Sequence, residues 1–167
     1  MRRKHARLTQ FVYRQMFQNG CGWASLILAF SLWMPAFAAT AQENHTPVVR
    51  FDTRRIVVAG IDIQVEVAMT RQQRQQGLMY REYLPANEGM LFIYPSPRIL
   101  RFWMRNTRIP LDIAFIDRQG IIRSIQPMPR TESDDRTVSP SPAMYALEMN
   151  LGWFRENDVC VGDRVSF

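Results

Sequence analysis

Ile63-Gln64-Val65-Glu66-Val67 alternates apolar and polar side chains, the two-residue period of a strand with one face in a core. Gln64 and Glu66 then face outward. The β-branched stretches 48–51 and 55–59 precede it, and Gly60-Ile61-Asp62 marks a turn between them. Thr70-Arg71-Gln72-Gln73 has the form of a capping box, in which Thr70 bonds a backbone N–H three residues on and Gln73 reaches back. A short polar helix to about Gln76 follows. Gly77 can take the left-handed conformation that ends it, and Leu78 and Met79 then enter the core.

Asn87-Glu88-Gly89 turns into a strand over 90–94, and Pro95-Ser96-Pro97 reads as a loop. Segments 100–104 and 111–117 read as strands. Asp117-Arg118-Gln119-Gly120 suits a tight hairpin with positive φ at Gly120, and 121–126 pairs back. Segment 127–142 differs in kind. It holds Pro127, Pro129, Pro140 and Pro142 among Ser, Thr, Asp and Arg, with no apolar period, and predicts a mobile surface loop. Segment 143–149 is another strand. Asn150 is placed to cap a short helix through Trp153 and Phe154, and 159–167 closes the chain as a strand bent near Gly162. Many short strands, two short helices and no alternating βαβ units argue against a parallel sheet. They predict a single mostly-β domain, a β-sandwich or distorted barrel.

The N-terminus carries a different pattern. Arg2, Arg3, Lys4, Arg7 and Arg14 form a basic region, 23–37 is an apolar run, and Ala36-Phe37-Ala38 and Ala39-Thr40-Ala41 offer small residues to a signal peptidase. The apolar run is shorter than the roughly 18 residues of a spanning helix. Residues 1–41 therefore read as a secretory signal cleaved near Ala38 or Ala41, with an uncleaved anchor as the competing reading. Residues 42–47 form a flexible leader and 48–167 the domain. The expected location is the periplasm or another exported site, with membrane contact only through an uncleaved signal.

Removing that segment changes the charge picture. The chain has 21 Lys+Arg and 15 Asp+Glu, and all five charged residues of 1–41 are basic. The mature part is nearly neutral, so nucleic-acid binding loses its main support. Arg71 and Arg74, and Arg98, Arg101, Arg105 and Arg108, remain as local groups, most simply a solvated face. Cys21 leaves with the signal and Cys160 stands alone, so no internal disulfide forms. Between Val159 and Val161, Cys160 is expected to be a small buried hydrophobe.

The absent side chains narrow the chemistry. The only histidine after the signal is His45, in the leader, and Lys4 is the only lysine. The domain therefore holds no Ser-His-Asp triad, lysine Schiff base or His-based zinc site. It shows no phosphate-binding or dinucleotide fingerprint. No cofactor or metal is expected. The seven methionines from Met69 to Met149 lack close pairing and read as core rather than as copper ligands.

Carboxylates and amides remain. Asp112 shares a strand face with Ala114 and Ile116, while Leu111, Ile113 and Phe115 share the other. Both faces are apolar, so Asp112 is expected to be buried, accepting bonds from Asn106, Thr107 or an arginine. Glu148 points with Met144 and Ala146 and faces the same choice between structure and site. Arg81 could pair bidentately with Asp112 or Glu148. Asn106 and Asn150 offer amide donors.

Five motifs occur in order: Gly77-Leu78-Met79-Tyr80-Arg81, Gly89-Met90-Leu91-Phe92, the run 102–117, the run 145–153, and Val161-Gly162-Asp163-Arg164-Val165. Together they resemble the DUF192 family, small prokaryotic domains that are often exported. The resemblance covers 48–167 and implies a single mostly-β domain. It implies no agreed activity, cofactor or catalytic residue. One departure is Asn157-Asp158 after the last helix, where glycine is the more usual stop.

The leading expectation is a non-enzymatic exported module that binds a small ligand or an envelope protein. Its groove would be edged by Arg81, Trp103, Asn106, Asp112, Glu148 and Asn150. A second reading is a carbohydrate-active hydrolase with two carboxyls in one cleft. A third is an envelope assembly factor acting through 127–142. The sequence assigns no oligomeric state.

Overall fold

The computed structural model describes residues 49–167. The signal-segment and leader assignments lie outside the described residues. The elements run β1 (Asp52–Val58), β2 (Ile61–Ala68), α1 (Arg71–Gln76), β3 (Glu88–Arg98), β4 (Arg101–Phe102), β5 (Leu111–Ile116), β6 (Ile122–Met128), β7 (Thr137–Val138), β8 (Ala143–Asn150), α2 (Trp153–Glu156) and β9 (Val165–Ser166). Seven strands form one sheet in the order β6-β5-β8-β3-β2-β1-β9, and β4 and β7 form a separate two-stranded arm.

β1 and β2 are joined by Ala59-Gly60, with φ 49° and 86°, and Val58 pairs with Ile61. Two central residues at positive φ make the turn whose twist matches a right-handed hairpin. Ile63, Val65 and Val67 of β2 are buried, as the alternation dictates, and Ala68 at the end of the strand is buried as well. The expectation against parallel pairing fails at one place: β2 and β3 run parallel from Gln64↔Glu88 to Ala68↔Phe92. A parallel pair needs a long crossover, and 69–87 supplies it with α1. The buried Leu78 and Leu84 lie in that crossover.

β3 also continues through Pro95-Ser96-Pro97, expected to be a loop, and reaches Arg98 opposite Ala143 after a register shift beyond Ile93. These prolines lack an N–H to pair, and an irregular stretch of strand tolerates them. The predicted hairpin at 117–120 forms. Gly120 has φ 81°, and Asp117 Oδ1 accepts the N–H groups of Gln119 at 2.8 Å and Ile121 at 2.9 Å.

The two ends of the sheet meet. β9 pairs with β1, and Ile121 bridges Arg164. Val165 N donates to Gly120 O at 2.7 Å, and Ile122 N to Asp163 O at 2.9 Å. A Cβ on Gly120 would lie 2.5 Å from Val165 O, so this closure admits only glycine. The sheet is therefore a distorted barrel. The predicted final strand is reduced to β9, because Cys160 N turns back to Asp163 Oδ2 at 2.7 Å. That turn exposes Cys160 and corrects its expected burial; of residues 159–161 only Val159 goes inward.

Both faces of the central strands are covered. One cluster joins Val65, Leu91, Ala114, Leu147, Met149 and Trp153; the other joins Met90, Phe92, Phe102, Ile113, Phe115 and Ala146. All six residues of β5 are consequently buried. Gly89 lets β3 and β8 approach: a Cβ there would meet Met149 Sδ at 2.4 Å and Glu148 O at 2.5 Å.

Segment 127–142 is more ordered than its composition suggests. Pro127 and Met128 belong to β6, and Thr137-Val138 pair with β4. Met104 N donates to Ser133 O, Glu132 N to Thr107 O, and buried Ser139 holds Leu100 N through its hydroxyl at 2.9 Å. Backbone pairing substitutes here for the missing apolar period. No helix among the described residues is long and apolar enough to cross a membrane.

Candidate functional site

α1 is set by its ends. Gln73 N donates to Thr70 Oγ1 at 3.1 Å and Thr70 N to Gln73 Oε1 at 2.9 Å, the capping box expected from these residues. At its C-terminus Gly77 takes φ 50°, and a Cβ there would meet the Phe92 ring at 3.3 Å. The helix thus ends tightly on β3. Arg71 and Arg74 line one side of a cavity of about 540 Å³. Arg98, Arg101, Phe102 and Trp103 line it from the β3–β4 segment, and Arg136 from the approach to β7. Leu78, Phe92, Thr107 and Glu148 complete it.

Several of these groups are fixed by neighbours. Arg74 stacks over Tyr94, 4.7 Å from the ring centroid, and donates to Ile93 O at 3.0 Å and to Met69 O. Arg136 stacks on Trp103 at 4.4 Å, and Arg105 lies 5.3 Å from the same ring. Trp103 therefore positions Arg136, and its π-system is already engaged by cations.

Charge pairing separates these arginines from most others. Arg81, Arg105, Arg108, Arg123, Arg130 and Arg155 each form an ion pair. Among the described residues none of the five cavity arginines does. The one carboxyl lining the cavity is Glu148, on β8 between Met90 of β3 and Ile113 of β5. It is 4 % exposed and has no described hydrogen-bond partner, but its carboxyl faces the cavity; the one fully buried side-chain polar atom left unpaired among the described residues is Ser124 Oγ. Burial pushes its pKa up to about 8, so it is predominantly a neutral acid near pH 7. The site is thus a cationic rim around an apolar interior with one buried acid group.

The six residues singled out from the sequence do not form one groove. Trp103 and Glu148 share the cavity. Arg81 pairs with Glu66 at 2.5 Å, not with Asp112 or Glu148. Asn106 donates to the Tyr80 hydroxyl at 3.0 Å, while Tyr80 N donates to Asn106 O at 2.8 Å. Asp112 lies on the other face of β5 and accepts Gly152 N at 2.7 Å, in place of Asn106, Thr107 or an arginine. Asn150 ends β8 and donates to Leu84 O at 2.9 Å and Pro85 O at 3.2 Å. The N-cap of α2 is Gly152, not Asn150, because Asn150 is committed to the β3 approach.

Sequence reasoning noted both arginine groups but not their convergence. Arg71 and Arg74 meet Arg98 and Arg101, while Arg105 and Arg108 turn to Asp134 and Glu82. Arg136 carried no local signal; β7 pairing delivers it. No cluster of three metal-ligating side chains occurs among the described residues.

The model of the DUF192 family, described as "Uncharacterized ACR", matches residues 54–167. The chain belongs to the DUF192 family. Among solved structures, this DUF192 domain is similar to a Sinorhizobium meliloti 1021 protein described as a candidate transcription regulator. The two are 36% identical, with 71% of this chain and 96% of that chain covered and a TM-score of 0.68. It is also similar to a Novosphingobium aromaticivorans DSM 12444 protein of unknown function. That pair is 30% identical, with 72% and 89% covered and a TM-score of 0.68. No curated protein matches the chain.

Proposed function

We propose that this DUF192 protein is an exported, non-enzymatic module that binds a small organic anion in the cavity between α1 and the β3–β4 segment. One observation carries the reading: five arginines without a described carboxylate partner surround a single cavity. Guanidinium groups without carboxylate partners offer planar, charge-assisted donors for a carboxylate or phosphate. The apolar interior, with Leu78, Phe92 and Phe102, suits an apolar body behind that head group. The basic N-terminal region, the apolar run and the small residues at Ala38 and Ala41 support export.

The hydrolase reading has less support. It needs two carboxyls in one cleft, whereas the cavity lining includes only Glu148 and Asp112 lies across the sheet. The assembly-factor reading through 127–142 has a loop whose backbone is already engaged by Leu100, Met104 and Thr107.

Calorimetric titration with octanoate and phenyl phosphate, against octanol and octylamine, tests the binding reading. The anions should bind and the neutral and cationic analogues should not. Equal binding of octanol, or none by either anion, contradicts it. Intact mass of the exported form tests export: cleavage after Ala38 or Ala41 is expected, and a full-length mass in the membrane fraction contradicts it.

A further inference from the structure

We infer that Glu148 is the cavity's deep hydrogen-bonding group, so that the ligand carries an uncharged oxygen, a hydroxyl or carbonyl, on its apolar body as well as its anionic head. This rests on the anion-binding reading above and narrows its ligand class.

The geometry carries the inference. Glu148 belongs to the face of β8 that also presents Ala146, and that face is otherwise apolar, with Met90, Phe92, Phe102, Ile113 and Phe115 in its cluster. A carboxyl in such surroundings is costly unless its polar atoms are bonded. The other buried acid, Asp112, obtains the Gly152 N–H. Glu148 obtains no described partner, and its side chain borders the cavity. Among the described residues the one fully buried side-chain polar atom left without a partner is Ser124 Oγ; the Glu148 carboxyl is not sealed in the core but faces the cavity, where a bound oxygen atom can pair with it.

The charged and titratable groups around Glu148 place the anion elsewhere. Tyr94 of β3 is the ionisable group coupled to it, and its own pKa is raised by burial. Arg71 and Arg74 on α1, Arg98 at the end of β3, Arg101 on β4 and Arg136 before β7 border the same cavity. The arginines offer sites for the anionic head, and the neutral acid suits an uncharged oxygen. Near pH 7 Glu148 can donate or accept. Well above pH 8 it becomes a carboxylate, can no longer donate, and repels an anion.

The test compares unbranched short- to medium-chain alkanoates with their ω-hydroxy counterparts by calorimetry on the mature protein. Scanning chain length lets the hydroxyl reach different depths. Near pH 7 one length of hydroxy acid should bind about tenfold tighter than its parent. Glu148→Leu should erase that preference while the parent alkanoate still binds, and Glu148→Gln should keep it. Well above pH 8 the wild-type preference should fall, and the Glu148→Gln preference should not. If parents bind and no hydroxy acid binds better, the role of Glu148 is overturned and the anion reading stands. A preference that survives Glu148→Leu also overturns it. If neither series binds while phenyl phosphate does, this inference is overturned and the anion reading stands; if phenyl phosphate fails as well, the anion reading fails and this inference with it. Thermal melts of both variants verify folding, and Glu148→Leu should melt no lower than wild type.

Discussion

Asp112 Oδ2 accepts the backbone N–H of Gly152 at 2.7 Å, tying the interior of β5 to the residue that starts α2. Gly152 has φ 92°, so its N–H is turned away from ordinary strand pairing. Burial raises the Asp112 pKa, and the Gly152 bond opposes that rise. Asp112→Ala leaves this N–H unpaired and should cost on the order of 1–3 kcal/mol. Asp112→Asn keeps an oxygen acceptor and should cost less. Denaturant melts check both; an unchanged or raised midpoint for Asp112→Ala contradicts a structural role.

Glu148 makes stability depend on pH in a definite direction. Its folded pKa is raised from the ordinary 4.5 to about 8. Between those values the native state keeps a proton that the unfolded chain has lost. Stability therefore falls as pH rises through this window and levels off above about 8. Glu148→Gln removes the titration. The variant should gain on wild type across the window, by on the order of a few kcal/mol at its upper end. Chemical denaturation at a series of pH values measures the two slopes. Parallel curves would contradict a buried, unpaired acid.

Much of the fold was legible where the pattern is local. The alternation of Ile63, Val65 and Val67, the capping box at Thr70 and Gln73, and the hairpin at Asp117–Gly120 depend on neighbours in sequence. So did the burial of Asp112, since both faces of its strand are apolar. What the sequence withheld is long-range. The parallel β2–β3 pairing depends on where the crossover packs, and Asp112's partner lies forty residues away. The cavity shows the same division. Arg71 with Arg74, and Arg98 with Arg101, are visible as groups, but β4–β7 pairing brings Arg136 to them and Glu66 takes Arg81 away.

Cys160 shows how a local pattern misleads. Flanking valines suggest burial, yet the Asp163 carboxylate turns the backbone and leaves the thiol exposed. A thiol reagent should therefore modify Cys160 without denaturant, as located by peptide mass. Modification only after unfolding would contradict the exposed position. The exposed thiol also permits a disulfide between two chains, which a non-reducing gel after mild oxidation would reveal.

The central claim is that the arginine-rimmed cavity binds an anion, and the most direct measurement is phenyl phosphate affinity for wild type, Arg98→Ala and Arg136→Ala across ionic strength. Charge-assisted bonds are worth about 1.5–3 kcal/mol, so each substitution should weaken binding about tenfold or more. Trp103→Ala, which removes the platform under Arg136, should weaken it in the same direction. Wild-type affinity should fall with added salt, and less steeply in the variants. Arg130→Ala, outside the cavity and paired with Asp135, should leave affinity unchanged. Binding that is indifferent to Arg98 and Arg136, or equally sensitive to Arg130, would contradict the account.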